Sequence, residues 1–367
     1  MRTDRDVRVA GTRTGTAVDA LLSPRRRLLL QGLAAAAVAA GCGERGAPPP
    51  AARFGGPTMG STYTVKIAGA RLTAAAEAAA QRAVEAAFAD VVARMSTYDE
   101  GSELARFNRH ASTAPFALSA ATLAVLALAR DVSAATAGAF DVTVAPAVDA
   151  WGFGPAKAAR VVAGDELAAL APRMGWRMLA VDPRAGTATK ARPDVAADLS
   201  GIAKGFAVDA AAAALDAQGF ADYMVEAGGE VRTRGRNAAG QPWQIAIERP
   251  DALPQRAHRI VPLSGLALAT SGDYRIFFER DGTRYCHEID PATGRPVAHG
   301  LASVSVAARD CGYADAMATA LFVLGPERGA ALAEQQRIAA HFIVRDGRGG
   351  FRDLSTPAFA ALGAAVA

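Results

Sequence analysis

The order of strand-like and helix-like segments most restricts the fold of this 367-residue chain. Tyr63, Val65 and Ile67 alternate with polar neighbours, which predicts a half-buried strand over residues 61–67. Short apolar segments predict further strands, which are Met224–Arg234, Trp243–Glu248, Arg259–Leu263, Leu266–Ser271, Arg275–Glu279, Thr283–Glu288 and Ala302–Ala307. Strands therefore come in runs with helices between and after them, an order typical of α+β proteins with a mainly antiparallel sheet.

Apolar residues at helical spacing predict the helices that separate these strands. The predicted helices cover residues 73–95, 118–136, 164–170 and Lys204–Gln218, and one more carries Asp315. Residues 140–148 should be extended and lead into a glycine loop at Trp151-Gly-Phe-Gly154, residues 177–190 should form an edge hairpin, and residues 326–337 and 340–345 are the last two elements. Because the chain shows no repeat and no domain-sized linker, we expect one compact, two-lobed α+β unit of mainly antiparallel sheet flanked by helices.

Residues 1–41 have the composition of an export signal. The segment Ser23-Pro-Arg-Arg-Arg27 precedes an apolar run, Leu28 to Ala40, that is too short to span a bilayer. An arginine pair before three leucines indicates the twin-arginine route, which carries folded cargo. The small residues before Cys42 resemble a lipoprotein processing site, so we expect Cys42 to be the lipidated first residue of the mature protein. Ala39 stands where such sites usually carry Leu, and simple cleavage is the alternative.

The leader also explains the charge of the chain, which is formally +4. Residues 1–41 contain seven Arg and three Asp, so the remainder carries 33 basic and 33 acidic residues and is neutral. We therefore exclude a nucleic-acid partner. Residues 42–53, rich in Pro and Gly, predict a flexible tether, and residues 54–367 a folded domain. That domain contains two cysteines, Cys286 and Cys311, for which packed thiols are favoured over a disulfide.

Asp315-Ala-Met-Ala-Thr319 places an acid and a hydroxyl on one face of an otherwise apolar helix. Both side chains offer hard oxygen ligands of the kind that Mg²⁺ takes. A buried, ionised Asp315 also needs a partner, because unpaired buried charge is costly. The alternative is an acid favoured by the helix dipole, with Thr319 bonded back to a carbonyl.

Eight short motifs follow one another along residues 54–345. They begin with Thr58-Met-Gly60, Met95-Ser-Thr-Tyr98, Gly138-Ala-Phe-Asp-Val-Thr-Val144 and Asp198-Leu-Ser-Gly-Ile-Ala-Lys-Gly205, and end with Val225-Glu-Ala-Gly-Gly-Glu230, Ala269-Thr-Ser-Gly-Asp-Tyr274, His287-Glu-Ile-Asp-Pro-Ala-Thr-Gly-Arg-Pro296 and Asp315-Ala-Met-Ala-Thr319. This set, in this order, resembles the ApbE-like FAD:protein FMN transferases. The resemblance implies a T-fold-like flavin transferase fold. It also implies cleavage of FAD at its pyrophosphate, with release of AMP and transfer of FMN to a Thr or Ser hydroxyl of a target protein.

The resemblance further implies a magnesium cofactor. Its protein ligands would be the Asp315 carboxylate, the Thr319 hydroxyl and the backbone carbonyl of Gly201. A glycine at that turn allows the main chain to come close to a ligand. The alternative for Gly201 is an ordinary turn before the helix that starts near Lys204.

The resemblance assigns the FAD contacts as well. Lys204 stands at a helix start, where its ammonium and the helix dipole together suit phosphate. The resemblance implies that Asp198 contacts the flavin or the ribityl chain, with helix capping as the alternative. It implies that Met59 and Tyr98 pack on the flavin or adenine, although such residues are more often core. The remaining implied contacts are Ala139, Phe140, Asp141 and, through its backbone, Ile289.

His287 is the candidate general base. It is one of five histidines and the only one inside a dense motif, with Asp290 and Arg295 shortly after it. An imidazole with a pKa near neutrality can accept the proton of an attacking hydroxyl. The alternative is a hydrogen-bonded structural histidine. The role of the Gly228-Gly229 pair stays open between a tight hairpin and a close approach to a ligand.

These features together predict an exported, membrane-anchored lipoprotein that faces the periplasm. Its partners would be FAD and a Thr or Ser of exported or membrane-bound flavoprotein subunits. The same site with water in place of the acceptor would be an FAD pyrophosphatase. A flavin-carrying lipoprotein without turnover is the third possibility.

Overall fold

An eight-stranded antiparallel sheet organises the chain in its computed structural model, which describes residues 8–9, 52–155, 158–251 and 254–367. With strands numbered along the chain, its members are β2 (Ala52–Thr58), β3 (Ser61–Ile67), β7 (Tyr223–Ala227), β8 (Glu230–Arg234), β11 (Ala267–Gly272), β16 (Leu301–Ala308), β17 (Ala339–Arg345) and β18 (Phe351–Ser355). The strand order across the sheet is β18-β17-β16-β11-β8-β7-β3-β2. The expected α+β fold with a mainly antiparallel sheet is confirmed.

Four small sheets surround the large one. They consist of β9 (Trp243–Glu248), β10 (Ala257–Leu263) and β19 (Ala365–Val366); β4 (Phe116–Ala117), β5 (Leu179–Asp182) and β6 (Thr187–Lys190); β12 (Phe277–Arg280), β13 (Thr283–Cys286) and β1 (Arg8–Val9); and β14 (Ile289–Asp290) with β15 (Arg295–Pro296). Within the first of these, β10 is the middle strand.

The helices are α1 (Ala74–Met95), α2 (Glu103–Arg109), α3 (Ala120–Ala135), α4 (Ala145–Trp151), α5 (Gly164–Leu170), α6 (Ala203–Ala217), α7 (Cys311–Gln335) and α8 (Pro357–Ala360), with 3-10 turns at Val142–Val144, Ala171–Arg173 and Trp176–Met178. The hydroxyls of Thr73 and Ser102 cap the first turns of α1 and α2.

Helix α7 breaks at Gly325, whose φ is 78°, and Pro326 follows. The break explains why residues 326–337 were predicted as a separate element. Among the described residues, no helix is long and apolar enough to cross a bilayer.

Both faces of the large sheet are covered. Along β17, Ala340 and Phe342 face the core shared with helices α1, α6 and α7, whereas Ile343 faces the small sheet of β9 and β10. Successive side chains of a strand point to opposite faces of the sheet, and this alternation produces the division. A strand buried on both faces is a nearly continuous apolar run, as in Leu301–Ala308. The molecule therefore has a layer of helices, the large sheet and a partial layer of small sheet.

Two local predictions were wrong. Residues 142–148 are helical rather than extended, because Asp141 caps the turn Val142–Val144 by accepting the Thr143 N–H at 2.7 Å, and Pro146 favours the start of α4. Residues 224–234 are not one strand: the Gly228-Gly229 turn, with φ of 64° and 105°, divides them into the β7–β8 hairpin. Local propensity for extended structure was overridden in both cases by residues suited to caps and turns. Cys286 and Cys311 are buried free thiols, as expected.

Helices α6 and α7 come unusually close at Gly205. A methyl group built on the Gly205 α-carbon would lie 2.3 Å from the Cys311 carbonyl oxygen and 2.8 Å from Asp315 Cβ. The Gly205 N–H donates to Asp315 Oδ2 at 2.9 Å. The Asp209 carboxylate, from the next turn of α6, accepts the Gly312 N–H at the start of α7. Glycine at this position is therefore what lets the two helices share hydrogen bonds.

Replacing Gly205 with Ala should lower the free energy of unfolding by about 1–3 kcal/mol, the usual cost of overpacking. The clash is with a backbone oxygen, so a change of rotamer cannot relieve it. Urea unfolding followed by circular dichroism measures the effect. Gly312→Ala is the matched control, because its methyl group would meet Phe206 at an ordinary 3.4 Å. Equal stability of the two variants would contradict a packing role for Gly205.

Candidate active site

Asp315 and Thr319 lie one turn apart on the first part of α7, facing the sheet and α6. The Asp315 side chain is buried, with the Gly205 N–H as its hydrogen-bond donor. Burial raises the pKa of the Asp315 carboxyl, although the Lys204 charge and the Gly205 N–H oppose the rise. The Thr319 Oγ1 lies 3.3 Å from Ser271 Oγ on β11. An acid and two hydroxyls thus converge where helix and sheet meet.

The turn before α6, which contains Gly201, packs against Thr319. A methyl group on Gly201 would lie 3.0 Å from Thr319 Oγ1 and 3.3 Å from the Phe140 ring. The structure therefore brings together the three residues that the sequence suggested as magnesium ligands. Carboxylate, hydroxyl and backbone carbonyl oxygens fit Mg²⁺, which favours hard oxygen donors and keeps further positions for water and phosphate. The fit also gives the buried Asp315 carboxylate a cationic partner.

Asp198 shapes that turn. Its Oδ1 accepts the Ser200 N–H at 2.8 Å and the Ser200 hydroxyl at 2.5 Å. Helix α6 itself begins at Ala203, and the preceding Ile202 provides no side-chain cap. Asp198 therefore caps the turn that contains Gly201, and it does not cap helix α6.

Lys204 follows the turn and is surrounded by acids. Its ammonium lies 2.6 Å from Glu230 Oε1. Burial by itself would lower the pKa of Lys204, but the negative charges of Glu230, Asp315 and Glu288 raise it by more. The ammonium is therefore a permanent cation beside Asp315. It suits an anionic ligand that also contacts the start of α6.

Glu230 is 1% exposed, and its Oε2 has no hydrogen-bond partner among the described residues. Burial raises the pKa of this carboxyl, and the Lys204 ammonium limits the rise. A methyl group on Gly228 would lie 3.4 Å from that Oε2 and 3.7 Å from Lys204 Cδ. The glycine pair therefore makes the hairpin turn, and the same turn passes close to the Lys204–Glu230 pair.

His287 lies just after β13, where its N–H donates to the Ile276 carbonyl at 3.2 Å. Its Nδ1 is buried without a hydrogen-bond partner among the described residues, and its Nε2 is 3.7 Å from Glu288 Oε1. Burial lowers the pKa of His287 to about 4, and the Lys204 charge adds to the effect. The imidazole is therefore neutral at pH 7 and able to accept a proton.

Sequence reasoning missed Glu288. This side chain is 8% exposed, and burial together with the Asp315 and Asp273 charges raises its pKa to about 8, against the opposing effect of Lys204. A second acid beside His287 in its motif was the available signal. Asp273 was missed too; it forms a two-bonded ion pair with Arg345, at 2.6 and 2.8 Å.

The predicted flavin contacts occupy different environments. Phe140 is buried, and Met59 and Ala139 pack against the main core, with Met59 at a φ of 46° in the β2–β3 turn. Asp141 is buried, and its Oδ1 also accepts the Thr143 hydroxyl at 2.7 Å, so part of its capacity serves the local turn. Of these residues, Phe140 lies against the Gly201 turn with its ring.

Two further contacts lie farther out. The Tyr98 ring is 57% exposed and its hydroxyl donates to the Phe153 carbonyl at 3.2 Å, so the core alternative for Tyr98 is wrong. Partial burial and the charges of Asp198 and Asp149 raise the pKa of Tyr98. Ile289 is buried in a separate cluster with Trp151 and Phe278. Cys42 lies outside the described residues.

Comparison with known proteins identifies the family. The model of the ApbE family matches residues 59–342. The FAD:protein FMN transferase of Vibrio cholerae is 42% identical over 331 residues, covering 90% of this chain and 97% of that protein. That of Haemophilus influenzae is 44% identical over 312 residues, covering 83% and 89%.

Solved structures agree as well. The flavin transferase ApbE from Vibrio cholerae superimposes with a TM-score of 0.76 at 42% identity, covering 85% of this chain and 98% of that one. The apo form of the Pseudomonas stutzeri flavinyl transferase ApbE gives a TM-score of 0.77 at 41% identity, covering 85% and 96%. This chain belongs to the ApbE family and is an FAD:protein FMN transferase, with FAD as its substrate.

Proposed function

We propose that this enzyme transfers FMN from FAD to a Thr or Ser hydroxyl of another protein, with AMP as the second product and Mg²⁺ as cofactor. The observation that carries the proposal is the meeting of Asp315, Thr319 and the Gly201 turn beside the Lys204 ammonium. Asp315, Thr319 and the Gly201 carbonyl would hold the ion. When bound, Mg²⁺ supplies neutralisation of the negative charge on the pyrophosphate.

The remaining groups position and deprotonate the reactants. The Lys204 ammonium binds the pyrophosphate, and Glu230 holds that ammonium in place. The acceptor oxygen forms a bond to the FMN phosphorus while the bond from that phosphorus to the bridging oxygen breaks, and AMP leaves with the bridging oxygen. Neutral His287 takes the hydroxyl proton on its imidazole ring.

One assay distinguishes transfer from its alternatives. The purified enzyme is incubated with FAD, Mg²⁺ and a candidate acceptor domain. Transfer predicts a covalently fluorescent acceptor together with AMP. Free FMN without labelled acceptor would support a pyrophosphatase, and unchanged FAD would support a flavin carrier.

We also propose that the enzyme is exported and anchored by a lipid on Cys42, facing the periplasm with its acceptor. The support is the order of charged and apolar residues before Cys42 and the Pro/Gly tether after it. A lipid-anchored enzyme would reach Thr or Ser residues of exported or membrane-bound flavoprotein subunits.

Cys42→Ser should abolish incorporation of labelled palmitate and release the enzyme from the membrane fraction, because the thiol that carries the lipid is missing. Labelling in cells followed by fractionation measures both effects. Cys286→Ser is the matched control, since Cys286 is a buried thiol of the folded domain. Persistent labelling of Cys42→Ser would refute the anchor.

Asp315→Asn should reduce transfer by on the order of 100-fold or more and weaken its dependence on Mg²⁺, because a charged ligand is lost. The amide oxygen can still accept the Gly205 N–H, so the fold should persist. Covalent acceptor fluorescence across a Mg²⁺ titration measures the change. Asp310→Asn, an exposed acid before the same helix, is the control and should behave like wild type. A wild-type Mg²⁺ response in Asp315→Asn would remove Asp315 from the metal site.

His287→Gln should retain FAD binding and lose roughly 10²–10⁴-fold in transfer, the contribution of a general base. In the wild type, kcat/KM should fall with decreasing pH through the pKa of His287, about 4, because protonation removes the base below that value. The fall should therefore lie well below the ordinary histidine pKa of 6.5. A pH titration of transfer measures it, with His110→Gln as control. The proposal fails if His287→Gln keeps both the rate and the acid limb.

A further inference from the structure

A second group of metal-ligating side chains lies across two sheets. His258 is on β10 of the small sheet, and His341 and Asp353 are on β17 and β18 at the edge of the large sheet. The His258 Nε2 lies 2.8 Å from Asp353 Oδ1, and His341 Nε2 lies 3.6 Å from Asp353 Oδ2. One ligand atom from each residue can be chosen so that all three lie within 4.8 Å of one another.

His341 has an unsatisfied ring nitrogen aimed into this group. Its side chain is fully buried at 0% exposure, and Nε2 has no hydrogen-bond partner among the described residues. The other nitrogen, Nδ1, lies 2.8 Å from Ser355 Oγ. When Nδ1 donates to that hydroxyl, the Nε2 lone pair points at the Asp353 carboxylate. The Nε2 lone pair and the carboxylate are then two acceptors that face each other, an arrangement that a cation between them would stabilise.

We propose that His258, His341 and Asp353 bind a divalent transition-metal ion, with zinc the best match. Two imidazoles and one carboxylate are a known zinc ligand set, which leaves a fourth position for water. Ligands about 2.0–2.1 Å from a tetrahedral zinc ion lie roughly 3.3 Å apart. His258 and His341 lie 2.8 and 3.6 Å from the two different oxygens of Asp353, and the three ligand atoms lie within 4.8 Å of one another, so the side chains would have to draw together around the ion.

Neighbouring groups hold the three ligands. The Arg259 guanidinium donates to Asp353 Oδ2 at 2.9 Å, and Ser355 orients the His341 ring. Burial favours a raised pKa for Asp353, but Arg259 and His258 hold that pKa below its usual value. Burial lowers the pKa of His341 to about 4. At neutral pH the carboxylate is therefore ionised and the His341 ring neutral, the forms that bind metal.

This site is separate from the magnesium site. His341 shares the sheet face of Ile343, which packs on the small sheet, whereas Thr319 and Ser271 lie on the helix side. The chemistry also differs, because imidazole nitrogen suits zinc and an all-oxygen site suits magnesium. A bound zinc would tie β10 to the edge strands β17 and β18, so its effect would be on stability.

The test uses the full chain, stripped of metal with a chelator and held in excess Mg²⁺. Zinc titration by calorimetry should show binding that falls at least about 10-fold in His258→Ala and in Asp353→Asn, since each removes a ligand. His110→Ala, at a histidine outside the group, should bind as wild type. Zinc should raise the thermal unfolding midpoint of the wild type and of His110→Ala, but not of the two ligand variants.

Cobalt supplies an independent readout, because tetrahedral coordination gives strong visible absorption. That absorption should appear in the wild type and be lost in His258→Ala. Flavin transfer should be unchanged in His258→Ala, which separates this proposal from the proposed function. The zinc site is refuted if the wild type binds no zinc or if His258→Ala binds it equally well.

Discussion

The close contact of helices α6 and α7 at Gly205 is the constraint on which the active site depends. Without a side chain at Gly205, α6 can approach until its backbone N–H reaches the Asp315 carboxylate. That approach places Lys204 on one side of Asp315. It also brings the Gly201 turn, which precedes α6, against Thr319. A single glycine contact thus sets the relation of the proposed metal ligands to Lys204.

Buried charge explains why these groups belong together. Burial raises the pKa of Asp315, Glu230 and Glu288, so a low-dielectric site crowds three acids around one ammonium. Such an arrangement favours additional cations and then an anion bound to them. The Lys204 ammonium in turn helps to keep His287 neutral. The features that make the site costly for folding are therefore those that the proposed transfer from a pyrophosphate to a hydroxyl would require.

Local patterns predicted many elements because the same forces act in sequence and structure. Helix α1 matches its prediction since a capping threonine and a regular apolar stripe agree with its packing. Residues 140–148 were mispredicted because β-branched residues favour strands, while a capping aspartate and a proline decided otherwise. Glu288 escaped notice because an acid beside a histidine in sequence carries no information about burial. Its altered pKa arises from distant residues that only folding brings near.

The sequence by itself determined the strand and helix order, the candidate ligands Asp315 and Thr319, and the motifs that resemble the flavin transferases. These predictions depend on residue type and spacing, which the sequence gives directly. Only the tertiary structure decided that Gly201 meets Thr319, that Glu230 pairs with Lys204, and that His258, His341 and Asp353 meet across two sheets. Such contacts join residues far apart in sequence, and their energies depend on burial and distance. Those quantities arise when helices and sheets pack, and no local pattern specifies them.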